Sequence, residues 1–299
     1  MNSEQIYQQV QDHYGSAARS TSTEYGRSVA KSFGYSEAEL ANIPKEANLG
    51  LSCGNPIAIA SLREGETVID LGSGAGFDVF LAATKVGPSG RVIGVDMNKE
   101  MLARANENKE RAGAKNVEFA ESQITNIALD SGIADCVISN CVVNLVPEAE
   151  KHLAFEEMFR LLKSGGRIAM SDILAKKPLP DEIRENVGLY VGCIAGASQV
   201  GDYEKYLRQA GFSDVIIVDT NSDLNVYMEI DEDGIRKEQA CCSHKTAGCC
   251  EPVKQATCCL DKPANCCSGG KDKTKATGTL QGLNLNEWAG SYKIFAVKH

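Results

Sequence analysis

The sequence predicts an α/β fold: a mostly parallel sheet with helices on both faces, a final antiparallel strand and a cysteine-rich insertion. Three observations carry that prediction. Short β-branched runs alternate with stretches of helical length from residue 67 to residue 173, the pattern of βαβ units. Val68-Ile-Asp70-Leu-Gly72-Ser73-Gly74-Ala-Gly76-Phe-Asp78 joins the first such run to a helix through closely spaced glycines, which permit positive φ and close approach of a ligand to the backbone. Between about 231 and 282, core-forming sequence gives way to polar, Lys-rich sequence with cysteines in adjacent pairs, which reads as an insertion and not as sheet.

Residues 6–14 predict a helix, and 16–31 a Ser/Thr-rich arm without a clear element. The strand at 67–71 leads through the glycines into an apolar helix at 77–83, and a second strand covers 91–96. A helix at 99–112, strands at 117–120 and 134–140 and a helix at 148–162 follow; after a turn at 163–166 comes a strand at 167–173. Helices at 181–190 and 202–210 precede a strand at 215–219, and 291–297 supplies the antiparallel partner. The chain thus divides into an N-terminal helix and arm (1–47), a core with substrate-binding helical elements (48–230), the insertion (231–282) and the final strand (283–299).

At 299 residues the chain has room for one large α/β domain and an appendage. A net charge of −9 argues against a nucleic-acid partner, because surfaces that track phosphates are basic. Met1-Asn-Ser-Glu-Gln-Ile lacks a basic start and an apolar core, and no run of about 18 apolar residues could span a bilayer. The expectation is a cytoplasmic protein with no membrane partner. Twelve cysteines without a secretion signal point to reduced thiols, metal ligands or redox chemistry more than to a structural disulfide framework. No oligomeric state follows from the sequence.

The glycine turn differs from the dinucleotide pattern G-x-G-x-x-G, whose helix receives a pyrophosphate. Here Gly72-x-Gly74-x-Gly76 is one residue shorter and follows Asp70. An acid at that strand end suits S-adenosylmethionine, which carries an ammonium and a sulfonium and no pyrophosphate. Asp96 ends the second strand about 20 residues further on, where a carboxylate can accept ribose hydroxyls. Met97 is placed to stack on adenine, and Ser122-Gln123-Ile124-Thr125 follows the third strand, where the adenine edge would lie.

Three cysteines fall where loops open at the same end of the sheet. Cys53 lies in Asn48-Leu-Gly-Leu-Ser-Cys53-Gly-Asn-Pro56, Cys141 in Ser139-Asn140-Cys141-Val-Val-Asn144-Leu, and Cys193 in Val191-Gly-Cys193-Ile-Ala-Gly196. Ligands of open α/β sheets bind beyond the carboxyl ends of the strands. Cys136, inside a strand, reads as a small buried apolar residue. These motifs, with the glycine turn, resemble those of arsenite S-adenosylmethionine methyltransferases over about residues 20–225 and again at the final strand. The resemblance implies a class I methyltransferase-like (Rossmann-like) fold and methylation of arsenite and then methylarsenite for detoxification. It implies that Cys141 and Cys193 bind trivalent arsenic and that Cys53 takes part in thiol exchange. Many members carry a further cysteine nearer the N-terminus; this chain has none before Cys53.

Elementary chemistry agrees with thiol ligands, since As(III) is soft and thiophilic. Thiolate-bound arsenic keeps a lone pair and needs no general base to attack a sulfonium methyl; orientation would supply much of the acceleration. Each transfer formally oxidises arsenic, so two electrons must return, and a thiol pair closing to a disulfide can supply them. Cys53, or an external thiol such as glutathione, is left as third ligand or resolving thiol, with glutathione or thioredoxin as reductant. Cys241-Cys242, Cys249-Cys250, Cys258-Cys259 and Cys266-Cys267, separated by six, seven and six residues, lack zinc-finger spacing and suit capture or delivery of soft ions, with zinc or redox buffering and a dispensable loop as the alternatives. Two rivals remain: a methyltransferase for a small organic acceptor, and a non-catalytic soft-metal binding protein.

Overall fold

The structure, a computed structural model, describes residues 2–19, 23–225 and 284–299. Its centre is a seven-stranded sheet built from β1 (Thr67–Leu71), β2 (Arg91–Asp96), β3 (Val117–Glu121), β4 (Ala134–Asn140), β5 (Leu162–Ala175), β6 (Ser213–Asp219) and β7 (Ala289–Val297), in spatial order β3-β2-β1-β4-β5-β7-β6. The pairs among β1 to β5 are parallel, and β7 runs antiparallel between β5 and β6. The α/β class expected from the sequence is the one observed.

Ten α-helices accompany the sheet among the described residues: α1 (Ser3–Ala18), α2 (Thr23–Ser32), α3 (Glu37–Ala41), α4 (Ile57–Ala60), α5 (Phe77–Val86), α6 (Lys99–Ala112), α7 (Lys151–Leu161), α8 (Asp181–Arg184), α9 (Val187–Val191) and α10 (Val200–Ala210). Val68, Ile69 and Leu71 of β1 are fully buried, because a strand covered on both faces needs a continuous apolar run and not alternation. Ile69 and Leu71 pack with Phe155 and Met158 of α7 in one apolar layer. Val68 packs with Val79 and Leu81 of α5 in the other. α6 starts at Asn98, whose side chain accepts from the amides of Glu100 and Met101, and stops at Gly113 with φ of 61°; both are the capping chemistries such ends require.

Four expectations need correction. α1 is longer than predicted, because Asn2 and Gln5 form a capping box ahead of the apolar stripe. The supposed arm contains α2, whose Val29 and Ala30 are buried; tertiary packing overrides its polar composition. The predicted helix over 181–190 is two short helices, α8 and α9, the second started by the Asn186 side chain accepting from the Leu189 amide. The predicted turn at 163–166 lies inside β5, opposite a register shift between Ala134 and Cys136; two consecutive glycines, one at φ of 79°, accommodate that bulge. The four cysteine pairs lie outside the described residues. None of the described helices is long and apolar enough to cross a membrane.

Candidate active site

The carboxyl ends of β1, β2 and β4 open into a cavity of about 1070 Å³, counted to open solvent. β1 delivers Asp70 and then a turn in which Gly72, Gly74 and Gly76 have φ of 71°, 52° and 92°. That region excludes most residues with a Cβ, and at Gly72 a Cβ would also sit 2.3 Å from the Val142 side chain. The bare backbone at Gly72 therefore lets the loop carrying Cys141 close over the turn. Asp96 holds the turn from β2: its carboxylate accepts from the Gly74 amide at 2.8 Å and from the Asn98 amide at 2.8 Å. Met97, Ser122, Gln123 and Ile124 line the same cavity.

The cavity is acidic. Burial, with Asp78 and Asp96 nearby, pushes the Asp70 carboxyl well up. Burial lifts Asp78 to about 6 against hydrogen bonds from Asn140 and Tyr35, and it raises Asp96 against its backbone donors. Ser73 Oγ is buried there without a partner among the described residues. Crowded carboxylates with nothing cationic between them, beside a glycine cradle and an orphaned hydroxyl, fit a ligand that brings positive charge and hydroxyl partners. S-adenosylmethionine has both.

Cys53, Cys141 and Cys193 lie behind and beside this cavity, each buried, with their sulfurs all within 4.8 Å of one another. Cys141 lines the cavity. Cys53 and Cys141 are joined by a disulfide with Cα atoms 5.7 Å apart, so two of the thiols expected to be reduced are closed on each other. Cys193 keeps its thiol, donates to the Cys141 carbonyl at 2.8 Å and lies 4.0 Å from the Tyr14 hydroxyl. Burial, reinforced by Asp172, pushes that thiol far above the ordinary range. Cys141 and Cys193 have φ of 60° and 64°, a conformation costly for residues other than glycine and concentrated at functional sites. Cys136 is buried in β4 with its thiol raised to about 12, as a structural residue would be.

Sequence reasoning missed the contribution of α1, which brings Tyr7, Gln11 and Tyr14 to the cavity wall. Tyr7 donates to Glu150 at 2.8 Å, fastening the helix across the opening. It also missed Asp78, which accepts from the Tyr35 hydroxyl at 2.7 Å and from Asn140 at 2.9 Å. Asp78 stands inside the quoted glycine motif, so its acid was visible while its partners, distant in sequence, were not.

A family model described as a methyltransferase domain matches residues 62–211. The arsenite methyltransferase of Halobacterium salinarum is 44% identical over 212 residues, covering 71% of this chain and 54% of that protein. That of Aquipseudomonas alcaligenes is 41% identical over 174 residues, covering 56% and 49%. The chain thus spans about half the length of the curated relatives it matches. Among solved structures, an arsenic(III) S-adenosylmethionine methyltransferase from Chlamydomonas reinhardtii aligns with a TM-score of 0.53 at 22% identity, covering 91% of this chain and 73% of that one. A geranyl diphosphate C-methyltransferase from Streptomyces coelicolor aligns with a TM-score of 0.55 at 16% identity, covering 81% and 76%. At those identities the likeness establishes the fold.

Proposed function

This chain belongs to the methyltransferase-domain family, and from that premise we propose that it methylates trivalent arsenic, with S-adenosylmethionine as methyl donor. Arsenite and then methylarsenite are the substrates, and the role is detoxification in the cytoplasm. The observation that carries the reading is the meeting of three buried sulfurs within 4.8 Å, one of them on the wall of an acid-lined cavity. A small organic acceptor would leave that cluster without a purpose, while a soft-metal store would leave the glycine turn and its carboxylates without one.

When bound, S-adenosylmethionine supplies an electrophilic methyl group on a positively charged sulfur. Asp70 would face its ammonium, Asp96 its ribose hydroxyls, Ser73 and the Gly72, Gly74 and Gly76 backbone its polar edge, and Met97 and Ile124 its base. Cys141 and Cys193 would hold arsenic, a substrate, with Cys53 as third ligand or resolving thiol. The chain's first task is to open the Cys53–Cys141 disulfide. Two molecules of an external thiol such as glutathione, or one reduced thioredoxin, supply two electrons and two protons, leaving two cysteine thiols and an oxidised carrier. The Cys193 thiol must then lose a proton that burial holds tightly; exchange of that proton for soft As(III) offsets the cost of burying a sulfur anion. Held between Cys141 and Cys193, the substrate would lie against the cavity wall, and burial of all three thiols keeps water away from it.

Residues 48–230 and 283–299 form the catalytic core in this reading, with 231–282 inserted between its last two strands and 1–47 contributing the helix that covers the cavity. The reading is tested by incubating the full chain with arsenite, labelled S-adenosylmethionine and glutathione, then separating arsenic species. Labelled methylarsenicals are the expected product. Label that appears only on another thiol-bound acceptor would refute it.

A further inference from the structure

The thiol cluster draws on three loops far apart in sequence, and two asparagines on one of them reach the other two. Asn140 and Asn144 flank Cys141, one residue before it and three after it. Asn140 Oδ1 accepts from the Cys53 amide at 3.2 Å, and its Nδ2 donates to the Gly54 carbonyl at 3.0 Å. Asn144 Nδ2 donates to the Cys193 carbonyl at 3.2 Å. Each side chain therefore grips the backbone of a different cysteine loop.

Each is itself immobilised by buried polar groups. The two Nδ2 protons of Asn140 are shared among Gly54, Asp78 at 2.9 Å and the Tyr35 hydroxyl at 3.0 Å. Those of Asn144 are shared among Cys193, the Ile173 carbonyl and Asp172 at 2.9 Å, while Asn144 Oδ1 accepts from the Tyr203 hydroxyl at 3.1 Å. An amide has two donors and one acceptor oxygen to distribute, and at both positions all of them are engaged. Asn144 and Asp172 have no exposed surface. Close packing adds to the hold: a Cβ on Gly54 would fall 2.5 Å from the Ser171 side chain, and one on Gly196 would fall 2.1 Å from the Asn144 carbonyl. On its far side Cys53 is fixed by Ser291 of β7, whose hydroxyl donates to the Cys53 carbonyl at 2.7 Å.

We propose that Asn140 and Asn144 are separate positioning residues for the thiol cluster, Asn140 presenting Cys53 to Cys141 and Asn144 presenting Cys193 to Cys141. This rests on the arsenic reading only for its second consequence. Its first consequence concerns the protein's own sulfurs. Closing the Cys53–Cys141 disulfide against glutathione converts two cysteine thiols and one oxidised glutathione into the disulfide and two reduced glutathiones. The equilibrium measures the effective concentration of one cysteine at the other, a quantity set by how well the two are held together. Its second consequence concerns the number of thiols an arsenical needs. Arsenite can take three thiolates, whereas an arsenical that already carries one carbon takes two, here Cys141 and Cys193.

The experiment uses the full chain and its Asn140→Ala and Asn144→Ala variants. Peptide mass spectrometry in glutathione buffers reads the Cys53–Cys141 equilibrium, and competition with a dithiol reads retention of arsenite and of phenylarsenite at Cys193. One lost hydrogen bond changes an equilibrium about fivefold to tenfold, so loss of the two that Asn140 makes to Cys53 and Gly54 should lower the effective concentration by roughly 25-fold to 100-fold. Asn144→Ala should shift that equilibrium much less, by under about threefold, because the bonds of its side chain go to Cys193, Ile173, Asp172 and Tyr203 and none to the Cys53 loop. Arsenite retention should fall in both variants; phenylarsenite retention should fall much more in Asn144→Ala than in Asn140→Ala. Tyr35→Phe and Tyr203→Phe, which each remove one hydroxyl from an asparagine's surroundings and keep the ring, should repeat the split at smaller size if an alanine variant does not fold. Equal effects of the two asparagines on both readouts, or no effect of either, would overturn the proposal. A disulfide split as expected in a protein whose wild type retains no arsenical at Cys193 would uphold the role of Asn140 and reject both the arsenic reading and the role given to Asn144.

Discussion

The glycine turn and the thiol cluster meet at one end of the sheet, yet they are built in opposite ways. The turn is contiguous in sequence: Asp70 to Asp78 supplies strand end, glycines and helix start, and Asp96, Asn108, Tyr35 and Asn140 brace it from outside. The cluster is assembled from residues 53, 141 and 193, joined across 88 residues by a disulfide and across 52 by a thiol-to-carbonyl hydrogen bond. The turn therefore takes its chemistry from nine consecutive residues, while the cluster takes its own from three separate loops. A lesion in the turn should weaken one ligand by a measured amount, whereas a lesion in the cluster should remove the chemistry.

The largest expected effect follows from that contrast. Cys193→Ser or Cys141→Ser should reduce arsenic methylation below detection, and Cys193→Ser, at a residue off the cavity wall, should leave S-adenosylmethionine affinity, read by calorimetry, within about threefold. Separate contacts add nearly independently, so concerted loss of cofactor binding would show that the two regions form one unit.

An intermediate effect is expected with pH. Burial raises Asp78 to about 6 and Asp172 to about 7 in the free protein, above the ordinary carboxyl range. Carboxyls raised by folding bind more protons folded than unfolded. Their stabilising contribution is complete below about 4 and is lost as pH rises through about 6 and 7. Thermal denaturation of the free protein should therefore show a falling midpoint from pH 5 to pH 7.5. A cationic ligand favours the ionised carboxylates, so S-adenosylmethionine should bind more tightly as pH rises over the same window and should release protons. Calorimetry in buffers of different ionisation enthalpy reads that release, and proton uptake would contradict the electrostatic role given to the cavity acids.

The smallest effect is expected at Asp96. Asp96→Ala should weaken cofactor binding by about 1–3 kcal/mol, the cost of leaving donors unmet. The structure adds a second reason for loss, since the Gly74 and Asn98 amides also depend on that carboxylate. Unchanged affinity would remove Asp96 from the ligand's surroundings.

The same contrast explains what was legible in the sequence. Asp70, Gly72, Gly74, Gly76 and Asp96 could be read because a strand, a turn and a strand end each leave a local pattern. The antiparallel last strand could be read from its β-branched and aromatic run, although its bounds shifted to Ala289–Val297. The cysteines were visible as motifs at one end of the sheet, and the resemblance implied their meeting; the Cys53–Cys141 disulfide was not legible, because spacing along a chain carries no distance between loops. Asn140 and Asn144 were quoted with Cys141 and still carried no signal, since their hydrogen-bond partners come from Tyr35, Cys53, Asp172 and Cys193. α2 was lost for a related reason: its polar composition hides two residues that the fold buries.

The central claim is that the three sulfurs, once reduced, receive trivalent arsenic. It is tested most directly by alkylating the reduced full chain with and without stoichiometric arsenite and scoring each cysteine peptide by mass spectrometry. Arsenite should protect the peptides bearing Cys53, Cys141 and Cys193 together, and oxidation to the Cys53–Cys141 disulfide beforehand should abolish its binding there. Equal alkylation of all three with and without arsenite, in a protein that still methylates arsenic, would contradict the account.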